Sequence, residues 1–315
     1  MPAWEITVIS VFSVIGFLFI LFLLLGQFVF KSVFKRNDNA YGENSRLESP
    51  DKKYRLEYDD DWIKANPFSV VKITSKDGLK LNAHYIKVKD SHKYIISCHG
   101  YLGAWKELTL PDHYFFDKGF SLYMIDERAQ GDSEGKFMSF GHFERDDILC
   151  WVNHIIKEDP EAQIVLYGLS MGAGSVMMSL NNCLPSNVKC AVADCGYSSI
   201  HDEVTYIMKK VIKGPTGIFM LALEFNCYFF HSGYSLKKYS PVKSLHESNI
   251  PIYIVHGAED TYVPTFMAKI NYDAVKNGTY KKLEIFPIAY HALSYQVDKN
   301  KYLKEMSDFI QLFVK

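Results

Sequence analysis

Three residue types set the chemistry open to this chain: a serine between two glycines, and an aspartate and a histidine that follow it at a distance. Gly168-Leu169-Ser170-Met171-Gly172 comes directly after the apolar run 164–167 and directly before the small-residue stretch 173–178. That order reads as strand, sharp turn and helix, the context in which a serine hydroxyl is held out as a nucleophile. The flanking glycines have a physical reason, because a side chain at either position would collide with a neighbouring element when the turn holds the serine at a strained backbone angle.

A serine hydroxyl is a weak nucleophile near neutral pH, so a base must take its proton and a carboxylate must orient that base. Asp260, in His256-Gly257-Ala258-Glu259-Asp260, follows the expected strand 252–255, and His291 follows the expected strand 282–286. Both fall on loops at the carboxyl ends of strands, the edge where open α/β sheets carry their sites. Glu259 is the alternative acid; Asp260 is preferred because Thr-Tyr-Val-Pro closes a tight loop that suits the shorter side chain. Of the 11 histidines, His291 is selected by its place after the last strand. The oxyanion formed during acyl transfer needs two backbone N–H donors. Met171, after the nucleophile, supplies one, and Tyr101, in the loop His99-Gly100-Tyr101-Leu102-Gly103, supplies the other.

The elements needed to position these residues are present as an alternation. Residues 70–74 and 79–88 read as an antiparallel hairpin. Strands at 94–98, 120–125, 164–167, 188–193, 252–255 and 282–286 then alternate with helices at 108–118, 143–157, 173–181, 265–276 and 302–313. Short apolar strands separated by helices predict a mostly parallel central sheet covered on both faces. The stretch 199–245 interrupts the rhythm with a helix at 202–213, a Gly-Pro-Thr-Gly break and an apolar segment at 218–230. It is too long for a plain connection and is expected to form a helical cap over the strand ends. Phe219, Leu223 and Phe229 would then favour an apolar acyl group. The triplet Asp59-Asp60-Asp61 reads as a solvated acidic turn before Trp62.

Ahead of this body, residues 6–30 hold no charged side chain. As a helix they reach about 37 Å, against about 30 Å of bilayer hydrocarbon. The run is too long for a signal-peptide core, has no basic segment before it and no small-residue cleavage site after it, so it reads as an uncleaved anchor. Glu5 precedes it while Lys31, Lys35 and Arg36 follow, which puts the body on the cytoplasmic side. The expected organisation is an anchor at 1–36, a polar linker and lead-in at 37–67, and a catalytic domain at 68–315 with the cap at about 199–245. The six cysteines show no metal-type spacing, and no cofactor or metal site is expected. A net charge of -1 gives no argument for nucleic acid.

Taken in order, His99-Gly100-Tyr101 with Gly103, the stretch from Asp126 to Gly135, the elbow from Gly168 to Gly172, His256 to Asp260, and His291 resemble the α/β-hydrolases. They are similar to the membrane-anchored bacterial hydrolases described as serine-aminopeptidase-like or prolyl-oligopeptidase-like. The resemblance covers about residues 68–315 and implies the α/β-hydrolase fold, with Ser170 as nucleophile, Asp260 as acid and His291 as base. Asp126 to Gly135 matches a family loop beside the site and reads as scaffold. The expected activity is cleavage of carboxylic esters, with peptide cleavage by the same three residues as the alternative and an inactive binding protein as a third reading. Peptidase members need an acidic group for the substrate amino terminus, and no motif identifies one here.

Overall fold

The computed structural model describes residues 2–36, 49–50, 52–181 and 183–315. Residues 37–48 and 51 of the expected linker and lead-in lie outside them. Eight strands form one sheet: β1 (Ser69–Thr74), β2 (Lys80–Ile86), β3 (Lys93–Cys98), β4 (Ser121–Asp126), β5 (Gln163–Leu169), β6 (Val188–Asp194), β7 (Ile252–Gly257) and β8 (Lys281–Phe286). Their order is β1-β2-β4-β3-β5-β6-β7-β8. β2 pairs antiparallel with β1 and β4, and every other pairing is parallel. The chain is α/β, as its alternation predicts.

The helices in chain order are α1 (Ala3–Val33), α2 (Asp60–Ala65), α3 (Thr109–Asp117), α4 (Glu144–Glu158), α5 (Met171–Ser179), α6 (Ile200–Val211), α7 (Gly217–Phe230), α8 (Pro241–Glu247), α9 (Phe266–Ala274), α10 (Ser294–Val297) and α11 (Lys299–Gln311). Strand residues alternate between two cores, which is why the strands read as unbroken apolar runs. Ile95, Leu122, Val165, Val192 and Tyr253 face Phe115 of α3 and Tyr302, Met306 and Phe309 of α11. Ile96, Ile125, Leu166, Ala191 and Ile254 face Trp151 and Ile155 of α4 and Val176 and Met177 of α5.

Local signals account for the helix starts. Ser199 caps α6 by accepting from the Asp202 N–H at 3.0 Å, and Asp298 caps α11 through the Lys301 N–H at 3.0 Å. Asp59 does the same for α2, accepting from the Trp62 N–H at 3.1 Å while its other oxygen takes His113 Nδ1 at 2.6 Å. The acidic triplet is therefore a helix start.

A third core lies at the carboxyl edge of the sheet. Val29, Phe30 and Phe34 from the end of α1 and the turn after it pack with Val204 and Met208 of α6 and Leu223 and Cys227 of α7. Gly26 lets the helices touch: a Cβ there would stand 2.3 Å from the Ala222 carbonyl oxygen. Beyond the helix, Lys35 bridges to Phe137, and Arg36 donates to the carbonyls of Ser133 at 2.6 Å and Gly131 at 2.8 Å. Long apolar α1 is thus docked on the body before residue 37. Among the described residues it is the one helix long and apolar enough to cross a membrane, by length and composition.

Candidate active site

β5 runs straight into α5 through Ser170, whose φ of 55° and ψ of -113° are a strained conformation for a residue with a side chain. Crowding fixes the turn. A Cβ on Gly168 would lie 2.4 Å from the Gly172 carbonyl oxygen, and one on Gly172 would lie 2.1 Å from that of Cys98. The Ser170 N–H donates to the Asp194 carbonyl at the end of β6 (2.8 Å), locking the turn to the neighbouring strand.

Ser170 Oγ stands 2.8 Å from His291 Nε2, and His291 Nδ1 stands 2.6 Å from Asp260 Oδ2. An ionised carboxylate can only accept, so Nδ1 carries the proton and Nε2 is left to accept from the serine hydroxyl. Asp260 Oδ1 accepts the Tyr262 and Val263 N–H groups, both at 2.9 Å. Burial would raise the Asp260 pKa, but the charge of His291 and hydrogen bonds from His256 and His291 outweigh it and hold it down to about 2. Glu259, one residue earlier, is exposed.

Gly100, Tyr101, Leu102, Ser170 and Met171 together line a cavity of about 350 Å³, and Gly100 lies beside the serine, where a Cβ would stand 3.5 Å from Ser170 Cβ. Met171 is the first residue of α5, where helix geometry leaves the N–H without an intrahelical acceptor. His99 holds the loop from behind: Nδ1 donates to the Gly100 carbonyl at 2.8 Å, and Nε2 accepts the Glu127 N–H at 3.1 Å. Burial lowers its pKa to about 4, consistent with a neutral imidazole that donates from one nitrogen and accepts on the other. Tyr101 Oη–H in turn donates to the Val33 carbonyl in the last turn of α1 at 2.8 Å.

Much of the cavity wall is apolar, from Val33, Leu102, Phe140, Leu169, Ile207 and Val263. Its cap contribution comes from α6, through Glu203 and Ile207. Of the α7 residues expected to line it, Leu223 is buried in the third core, Phe219 packs against that core, and Phe229 points outward with 62% exposure. The helix has turned its Phe229 face away from the serine.

Two carboxyls escape sequence reasoning. Glu203 Oε2 is buried without a hydrogen-bond partner at the cavity; burial and the nearby Asp260 raise its pKa to about 8, against the pull of Lys210. Glu107 accepts the Gly100 N–H at 2.8 Å, and burial raises its pKa to about 7 despite that bond. In the sequence Glu203 reads as an acidic residue in the first turn of a capped helix, a favourable place for it without any other role. Ser32 and Val33, which also line the cavity, had no signal at all, because the sequence places them in the expected anchor segment.

Cys195 lies within 4.8 Å of Asp260 and His291 in a ligand-like group. The hydrogen-bond relay already engages Asp260 and His291, and burial pushes the Cys195 thiol well up, which disfavours the thiolate a metal requires.

Residues 89–221 match the sequence model of the serine aminopeptidase family, S33. An uncharacterised protein of Bacillus subtilis, YqkD, is 26% identical over 239 residues, covering 76% of this chain and 77% of that protein. Among solved structures, the Pyrococcus furiosus esterase Pf2001 superposes with a TM-score of 0.65 at 22% identity, over 80% of this chain and 93% of that one. The Pyrococcus horikoshii acylaminoacyl peptidase superposes with a TM-score of 0.57 at 18% identity, over 79% of this chain and 42% of that one. With this sheet and these likenesses, the chain has the α/β-hydrolase fold, and residues 89–221 resemble the serine aminopeptidase family.

Proposed function

We propose that the chain is a membrane-tethered serine hydrolase that cleaves carboxylic esters through an acyl-serine intermediate. The observation that carries the reading is the relay from Ser170 through His291 to Asp260, opening on an apolar cavity. As Ser170 Oγ attacks the ester carbonyl carbon, its proton passes to His291 Nε2, and Asp260 stabilises the imidazolium. The oxyanion accepts the Tyr101 and Met171 N–H groups at the positive end of α5. Collapse of the tetrahedral intermediate breaks the bond to the leaving alcohol, which takes the proton from His291. Water then gives a proton to His291 and attacks the acyl carbon, releasing the acid and restoring Ser170. No metal or cofactor enters this sequence. The apolar α1 is read as the tether, with the basic residues after it setting the body on the cytoplasmic side.

A second reading, peptide cleavage by the same residues, is favoured by Glu203. Its Oε2, buried without a hydrogen-bond partner at the cavity, would receive a substrate amino group, whose charge would pull the carboxyl back to its ionised form.

A fluorophosphonate probe tests the shared chemistry: the wild-type chain should be labelled and Ser170→Ala should not. A folded wild type that resists the probe would sink the whole assignment. Short and long acyl p-nitrophenyl esters offered beside aminoacyl amides then separate the readings, because rapid amide turnover with inert esters selects the peptidase.

A further inference from the structure

α7 presents three faces, and one has no protein partner among the described residues. Met220, Leu223 and Cys227 are buried in the third core. Ala222 and Asn226 meet α1 at Gly26, and Asn226 Nδ2 donates to Gln27 Oε1 at 3.0 Å. Phe225 packs its ring against Phe19 and Phe22, with centroids 6.0 and 5.7 Å away. Continuing its line, Ile218, Leu221 and Phe229 are 52%, 60% and 62% exposed, a single apolar stripe at helical spacing. The one charged residue of α7, Glu224, turns back to accept from Ser235 Oγ at 2.5 Å and the Leu236 N–H at 3.0 Å.

The continuity of this stripe with α1 identifies what covers it. Residues 3–18, the part of α1 ahead of its contacts with α7, rise about 24 Å as a helix, short of the roughly 30 Å of hydrocarbon in a bilayer. A bilayer crossed by α1 therefore extends at least to the level of Phe22, where Phe225 packs. Exposed basic residues flank α7 on both sides, Lys209 and Lys213 before it and Lys237 and Lys238 after it, and basic segments beside a membrane-embedded stretch are attracted to anionic headgroups. Ser32, at the cavity rim, is then no more than about 15 Å along α1 from the hydrocarbon.

We propose that α7 lies in the same leaflet as the C-terminal part of α1, and that the ester presented to Ser170 is a membrane-resident lipid with a long acyl chain. This rests on the serine-hydrolase reading and names its substrate class. The chain would remain partly in the bilayer while the carbonyl enters between Val33 and Ile207.

The experiment uses the full chain in vesicles of phosphatidylcholine and phosphatidylglycerol. 4-Methylumbelliferyl palmitate dissolved in the bilayer is compared with water-soluble 4-methylumbelliferyl acetate. The double variant Leu221→Glu, Phe229→Glu should lose at least about tenfold on the palmitate and nothing on the acetate, because two charges on the stripe oppose its burial in lipid. Unchanged palmitate turnover would overturn the proposal. A nitrobenzoxadiazole label on Leu221→Cys, with Cys150 and Cys183 replaced by serine, should be quenched by lipids brominated on their chains. If the double variant misfolds, this label decides alone, and an unquenched label overturns the proposal. Wild type that acts on neither ester would defeat the hydrolase reading itself, while quenching would still report where α7 lies.

Discussion

Asp260 stays charged although it is buried, because its oxygens accept two backbone N–H groups and face two imidazoles. The orienting role proposed for it should therefore persist down to a pH near its depressed pKa of about 2. Asp260→Asn keeps the shape, but its amide can donate to Nδ1 and so favours the wrong imidazole tautomer. A fall in kcat of about 10⁴ is expected on a soluble ester, whereas Glu259→Gln should leave kcat unchanged. Glu203 behaves in the opposite sense. A carboxyl whose pKa is raised gives its full stability below the ordinary value of 4.5 and loses it as the pH climbs through about 8. Glu203→Gln cannot ionise, so it should melt with wild type near pH 5 and above it at pH 9, by about 2–4 °C for each kcal/mol recovered. Coincident melting at pH 9 would show that burial does not control this group. At this scale the sequence was most legible where backbone geometry restricts residue choice, as at Gly168, Ser170 and Gly172. It was least legible for Glu203, since an acid in the first turn of a helix already has a sufficient reason to be there.

Strands and helices of the sheet were readable because strands buried on both faces leave unbroken apolar runs between capped helices. α1 and α7 gave up their existence but not their contacts. Both are apolar nearly all round, so periodicity could not say which face meets protein. The docking has a measurable consequence for shortened chains. Removing residues 2–18 takes away only the exposed part of α1 and should leave turnover of a short soluble ester intact. Removing residues 2–36 also deletes Phe30 and Phe34, both buried, at a cost of about 3–5 kcal/mol for each, and unlinks Tyr101 from Val33. Loss of soluble expression or of esterase activity is expected from the longer deletion alone; equal activity of the two products would show that the end of α1 is dispensable.

For the molecule as a whole, the charges around α1 predict the side on which the body lies. Cys183 is the exposed thiol among the described cysteines, and a membrane-impermeant maleimide should reach it only after the cells are permeabilised. Labelling in intact cells would place the body outside. The polar linker and lead-in are expected at 37–67, yet Arg36, ahead of them, is already bonded to the Gly131 and Ser133 carbonyls. With α1 as the proposed tether, that pair of bonds and the packing of the end of α1 would keep one side of the body toward the lipid. With its orientation fixed, collisions with substrate become events in a plane. The rate should then follow the mole fraction of ester in the surface, and diluting the vesicles with water, at constant lipid composition, should leave turnover per enzyme unchanged.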